Sequence, residues 1–489
     1  MKKGFRERTA SGVLWSVAGQ AGRQSALLVT QVLLARILTP RDFGLVATVL
    51  IFSNFAVIVA EQGFGAALIQ RREIEERHRS SIFWVNAALG AGLTALFLLA
   101  SPLVARAYGE PELGPLTRAM AVLFIVHSTG TLHTTLLSRA LEFRLVARAE
   151  VTAAWAGGAA ALALALAGWG AWAIVAQSLV AAAAGVVMLW RLSPWRPSFL
   201  FDAAAVRELA GFSTNHFVGN LANYWVRNVD NLLIGLVLGA HPLGVYSRAY
   251  AVMLFPLSRV TRVLSRVMLP SFSLIQTDKE RVRALFMRMT RVIALVTFPM
   301  MSGVAACAPD FVAAVFGPRW GEMVPVLRVL ALVGMVQSVT SLMSNLYLSQ
   351  NRTDLRLRVV LPMQALEVLA IVYGLRHGIL GVAVCYAAAS MLTAPVNTRF
   401  AGGLVGMTPG AFAANLAPVL GCAAAAALTA AGVAALLPAP WPAVLRLAVE
   451  VAAASAVYFG LLTALRVEAW RDAREELGRR LAARKEAAA

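Results

Sequence analysis

Charge is scarce in this sequence. Only 14% of its 489 residues are charged and 59% are hydrophobic, with a mean hydropathy of +0.70, whereas a soluble domain carries about 25% charged residues. That excludes a water-soluble fold and leaves an integral membrane protein. Cysteine is nearly absent: Cys307, Cys385 and Cys422 are the only three, far apart and in or at the ends of apolar runs. Such spacing fits neither a disulfide framework nor a metal-ligand set, so the three read as packing residues. The short alternating segments of a β-barrel are missing, and backbone groups in lipid must then be satisfied inside helices of about 20 residues. The basic opening MKKGFRERTASG leads into a run broken by Gln20, Arg23 and Gln24 with no A-x-A-like site, so no signal peptide is read. Outward connections are short and carry no paired carboxylates, nucleophile or metal set, which disfavours a membrane enzyme such as a glycan polymerase or ligase.

What is present is a series of long apolar runs. They predict an all-α protein of about fourteen transmembrane helices near 11–36, 43–69, 80–104, 115–138, 146–167, 170–190, 208–239, 243–272, 286–308, 322–349, 357–375, 378–398, 411–436 and 442–465. Lysine and arginine crowd the N-terminal arm, the even-to-odd connections and the tail RVEAWRDAREELGRRLAARKEAAA, and are rare in the opposite set. This bias predicts cytoplasmic termini. It also accounts for most of the +19 net charge, so the expected partner of the basic tail is anionic lipid and not nucleic acid. Trp169, Trp172, Trp320 and Trp441 map to the outer boundary, and Trp15, Trp84, Trp190 and Trp195 to the inner one, as an aromatic belt requires.

The spans are not uniformly apolar. Ser16, Gln20, Arg23, Leu27 and Gln31 fall on one helical face, as do His216, Asn220, Asn223, Arg227 and Asn231, two hundred positions later. A charge at mid-bilayer costs roughly 2.5 to 3.5 kcal/mol on the mildest scale, so both stripes are expected to meet water. The same offset aligns Gly19 with Gly219, Leu38 with Leu238 and Gly44 with Gly244, and VARAYG at 104–109 matches VAAVFG at 312–317. This duplication predicts two six-helix lobes around a central cavity: 1–192, then a cytoplasmic linker at 193–207, then 208–400. Two further helices in 401–466 and a basic tail at 467–489 complete the chain.

Residues 35–74 carry a turn, Ala35-Arg36-x-Leu38-x-Pro40-x-Asp42-Phe43-Gly44, followed by the run Gly63 to Gln70. These resemble the opening of the polysaccharide transport family, Wzx-type flippases of the multidrug/oligosaccharidyl-lipid/polysaccharide (MOP) exporter superfamily. The resemblance implies a MATE-like fold. It also implies export of undecaprenyl-diphosphate-linked oligosaccharide by alternating access, for capsule, exopolysaccharide or O-antigen assembly, by a monomer working beside polysaccharide polymerase machinery. An ion-coupled small-molecule or drug antiporter of the same superfamily is the alternative.

A diphosphate-linked glycan calls for cations at phosphate and amides at hydroxyls. The expected substrate-binding set is Arg23, Arg227, Arg259, Arg262, Gln20, Gln24, Asn220, Asn223 and Asn231. Asp230, Glu61 and Glu367 are the deep carboxylates expected to serve ion coupling, although Asp230, one turn from Arg227, also suits neutralising it. No cofactor or metal is expected, with proton or sodium coupling left open.

Overall fold

The computed structural model describes residues 2–475 except 62–63, 72, 211–223, 225–227, 439, 469 and 472–473. The described residues are helical with no strand, as the apolar runs require. They divide into two compact units, Met1–Gly244 and Val245–Ala489.

The first unit contains α1 (Lys2–Ile37), α2 (Pro40–Glu61), α3 (Phe64–Gln70), α4 (Glu76–Tyr108), α5 (Leu113–Arg139), α6 (Phe143–Leu166), α7 (Ala171–Leu192), α8 (Ala203–Ala210) and the short α9 (Asn228–Leu238). Helix α10 (Ala240–Leu274) begins at its end. The second unit continues with α11 (Lys279–Ala306), α12 (Ala308–Val315), α13 (Met323–Thr340), α14 (Met343–Ser349), α15 (Thr353–Gly374), α16 (Gly378–Gly403), α17 (Pro409–Leu436) and α18 (Ala443–Ala464). Helices cover every expected span, the seventh only in part because much of it lies outside the described residues. Helix α1 starts at Lys2, ahead of the expected span, since lysine and arginine are good helix formers and nothing breaks the segment.

Local chemistry sets the ends. At α2, the Asp42 carboxylate accepts from the Thr39 amide at 2.8 Å while the Asp42 amide donates to the Thr39 hydroxyl at 3.3 Å, a reciprocal cap in the signature turn. Thr408 caps α17 by accepting from the Ala411 amide at 3.1 Å, with Pro409 in the first turn. Gly109 closes α4 at φ 64°, a left-handed conformation open to glycine.

Packing follows membrane rules, with small residues at the seams. In the first unit Gly19 lies on Ala147 and Gly22 on Val151, which fixes α1 against α6, and Gly157 meets the Gln177 carbonyl between α6 and α7. In the second unit Phe272, Phe286, Phe412, Tyr347 and Tyr458 join one buried cluster. Interhelical bonds supplement it: Tyr458 Oη donates to the Leu295 carbonyl at 2.8 Å, and Gln337 Nε2 donates to Tyr386 Oη at 2.6 Å.

The tryptophans divide. Trp169 and Trp441 are exposed as boundary residues should be, but Trp320 is fully buried against Phe316, whose ring lies 5.5 Å away. The residues read as an inner belt are bonded in place: Trp84 Nε1 donates to the Ser198 carbonyl at 2.9 Å and Trp195 Nε1 to Glu76 at 3.0 Å. They pin the 193–207 segment to the start of α4.

Candidate functional site

Helix α1 carries the first polar stripe. Its glycine-rich edge is committed to α6, where Gly19, Ala26 and Thr30 are buried. Ser16, Gln20 and Arg23 are exposed, and Gln24 and Gln31 are half-buried. Gly19, Ala26 and Thr30 are thus used for packing, and Gln20 and Arg23 are left on display.

Of the second stripe, His216, Asn220, Asn223 and Arg227 lie outside the described residues. The part that follows is ordered by short-range bonds. Tyr224 Oη donates to the Ile51 carbonyl, which ties this segment to α2, and Asn228 Nδ2 donates to the Tyr224 carbonyl at 2.9 Å. Asp230 is buried, and its carboxylate accepts from the Asn231 amide at 2.7 Å. Asn231 is half-buried, and its enclosed side-chain oxygen is unbonded.

Arg259 and Arg262 sit on α10, and Glu61 ends α2, but their side chains lie outside the described residues. Glu367 is half-buried on α15. Gln20, Arg23 and Gln24 therefore share one described helix, Asp230 and Asn231 are neighbours on α9, and Glu367 stands on a helix of the other unit.

The signature turn has a second role. Gly44 packs on the Ala240 carbonyl, and Gly244 packs on the Pro40 carbonyl. Pro40 with Ala240 and Gly44 with Gly244 are equivalent pairs at the repeat offset of two hundred, so the two copies of the turn meet reciprocally within the first unit. No Cβ fits at either glycine, which explains glycine at both positions. Beside this contact, Arg41 pairs with Glu110 at 2.7 Å and Glu112 at 2.9 Å.

One polar cluster escaped the reading of the sequence. Glu450, in the middle of α18, is fully buried with both carboxylate oxygens lacking a donor, beside Asp310 and Cys307. Arg446, whose place near a span end suggests snorkelling, instead pairs with Asp310 at 3.2 Å. A glutamate within LRLAVEVAAASAVYF was the available signal.

Comparisons with known proteins accord with this architecture. The family model described as "Polysaccharide biosynthesis protein" matches residues 33–325. The chain is 32% identical over 304 residues to the teichuronic acid biosynthesis protein TuaB of Bacillus subtilis (strain 168), covering 62% of this chain and 63% of that one. It is 28% identical over 372 residues to the lipopolysaccharide biosynthesis protein WzxC of Escherichia coli (strain K12), covering 76% of each. With the succinoglycan biosynthesis transport protein ExoT of Rhizobium meliloti (strain 1021) it shares 33% over 321 residues, 65% of this chain and 64% of that one. The matches to TuaB and ExoT thus span just under two thirds of those relatives' lengths. Among solved structures, the lipid II flippase MurJ in an inward closed conformation superposes with a TM-score of 0.72 at 13% identity, covering 94% of this chain and 99% of that one. An inward-facing MATE multidrug transporter of the MOP superfamily gives 0.63 at 13% identity, over 78% and 94%. These two likenesses show the fold alone, an all-helical multi-span membrane architecture. With its family model matched over more than half its length, the chain belongs to the polysaccharide biosynthesis protein family.

Proposed function

We propose that this protein is a flippase that moves undecaprenyl-diphosphate-linked oligosaccharide from the inner to the outer leaflet of the bacterial inner membrane by alternating access. Two six-helix lobes, 1–192 and 208–400, perform the movement, joined by the 193–207 linker, with both termini cytoplasmic. The observation that carries this reading is the displayed polar face of α1. Arg23 and Gln20 are exposed on a helix whose neighbouring edge is packed, and an arginine there is stable only where water reaches it.

The chemistry of the face suits the cargo. A guanidinium offers a planar fork of donors to phosphate oxygens, and amides serve both donors and acceptors of sugar hydroxyls. We assign substrate binding to Arg23, Gln20, Gln24 and Asn231, and by repeat symmetry and residue type to Asn220, Asn223, Arg227, Arg259 and Arg262. Asp230, Glu61 and Glu367 are assigned to ion coupling, with a proton or sodium ion as the coupled species. Relatives named for teichuronic acid, lipopolysaccharide and succinoglycan biosynthesis support an anionic glycan carrier over a drug antiporter, which needs acidic side chains for cationic cargo.

Deletion of the gene tests this directly. The expected result is loss of one surface polysaccharide and accumulation of its lipid-linked precursor on the cytoplasmic side, both reversed by the wild-type gene. Unchanged surface glycan together with new sensitivity to cationic dyes would establish the antiporter alternative instead.

A further inference from the structure

Helix α18 buries few of its side chains: of its 22 residues only Glu450, Tyr458 and Leu462 are buried, while Val444, Leu445, Val451 and Phe459 are exposed. Two of the three buried residues are polar. Tyr458 has a partner in the Leu295 carbonyl. No amide, hydroxyl or cation donates to either oxygen of Glu450, the most enclosed acid among the described residues.

The groups around Glu450 explain why. From α12 it faces Asp310, and Cys307 at the cap of that helix; from its own helix it faces Arg446. The neighbouring α17 contains no charged residue, and its Cys422 lies by Tyr458, about two turns further along α18. The charged residues of α11 end at Arg291, in the half of that helix remote from Cys307. The cation beside the two acids is already committed, since Arg446 Nη2 lies 3.2 Å from Asp310 Oδ2. Two carboxylates and one guanidinium leave one negative charge over, and Glu450 is fully enclosed. Two carboxylates are also both acceptors, so no hydrogen bond forms between them unless a proton is added.

We propose that Asp310, Arg446 and Glu450 form a proton-binding site, in which one proton taken from solution is shared by the two carboxyl groups, balances the charge, and fastens α18 to α12. No other bond is made or broken on loading. The site is independent of the cargo assigned above.

Infrared difference spectroscopy of the full-length protein in lipid nanodiscs, titrated from mildly acidic to mildly alkaline pH, tests it. The expected result is a protonated-carboxyl carbonyl band that is lost on alkalinisation and is absent from both Glu450→Gln and Asp310→Asn, while Glu367→Gln keeps it. Either single variant removes the shared proton, so both should lose the same band. Thermal melting supplies a second readout: wild-type protein should lose stability as the pH rises, and Glu450→Gln, an uncharged mimic of the protonated acid, should not. Persistence of the band in Glu450→Gln, or its loss in Glu367→Gln instead, would overturn the proposal, as would an unchanged alkaline melting slope in Glu450→Gln.

Discussion

Helices α1 and α18 use their polar residues in opposite ways. α1 buries glycine and displays arginine among its exposed leucines and valines, whereas α18 buries glutamate and displays apolar residues such as Val444, Leu445 and Phe459. In water the second arrangement would be unstable. In lipid an exposed leucine costs nothing, so hydrophobicity no longer predicts which face is inside. A polar side chain must then either be enclosed among other polar groups, as Glu450 is beside Asp310 and Arg446, or open onto water, as required at Arg23. The contrast separates groups that hold the fold from groups that act on a ligand.

Neighbouring substitutions on each helix can break this comparison. The largest effect is expected at Gly19, where a Cβ already collides with Ala147. Gly19→Leu should cost about 3 kcal/mol or more of stability through overpacking, visible as loss of monodisperse protein in size-exclusion chromatography. Arg23→Ala, one turn away, should elute as wild type.

On α18 the order of polarity reverses. Glu450→Ala empties a filled position and removes the hydrogen-bond partner proposed for Asp310, and should destabilise by about 2 kcal/mol, whereas Val451→Ala on the exposed face should stay within about 0.5 kcal/mol. Melting curves in one detergent compare the pair. Equal losses would erase the distinction between enclosed and displayed positions.

A smaller effect sharpens the comparison at the 193–207 linker and the adjoining α8, where acids are neither enclosed nor cargo-facing. The Ala204 and Ala205 amides and Arg77 hold the Asp202 carboxyl below its ordinary value, and the Arg71 guanidinium, 2.6 Å away, does the same for Glu208. For carboxyls depressed in the folded state, the added stability is present above their unfolded values of about 4. It is lost as the pH falls through the lower folded values. The melting temperature should therefore decline on acidification below about pH 4, and Asp202→Asn with Glu208→Gln should flatten that decline. This acid limb is opposite in sign to the alkaline loss expected from the Glu450 site.

Much of the architecture was legible because long apolar runs have few alternatives in lipid, and because the repeat at offset two hundred becomes a physical contact where Gly44 and Gly244 meet the opposing turns. Position along a span was legible; burial around it was not. Arg446 suggested snorkelling because its partner, Asp310, lies far away in sequence, and Trp320 suggested a boundary residue because nothing local shows the 3-10 turn Pro318–Trp320 folding it inward. The split between α13 and α14 at Ser341 and Leu342 had no glycine or proline to announce it. At the candidate site, residue types and the α1 stripe were readable from spacing, whereas the use of Gly19 and Gly22 as the packed edge required knowing that α6 lies there.

The most direct test of the central claim is transport of a fluorescent polyprenyl-diphosphate oligosaccharide in proteoliposomes containing wild-type, Arg23→Lys or Arg23→Ala protein. Loss of a charge-assisted contact worth about 1.5 to 3 kcal/mol predicts a fall of about 10- to 100-fold for Arg23→Ala, with unchanged melting. Arg23→Lys should retain part of the activity as a point charge. Transport by Arg23→Ala at the wild-type rate would contradict the assignment of the displayed face of α1 to the cargo.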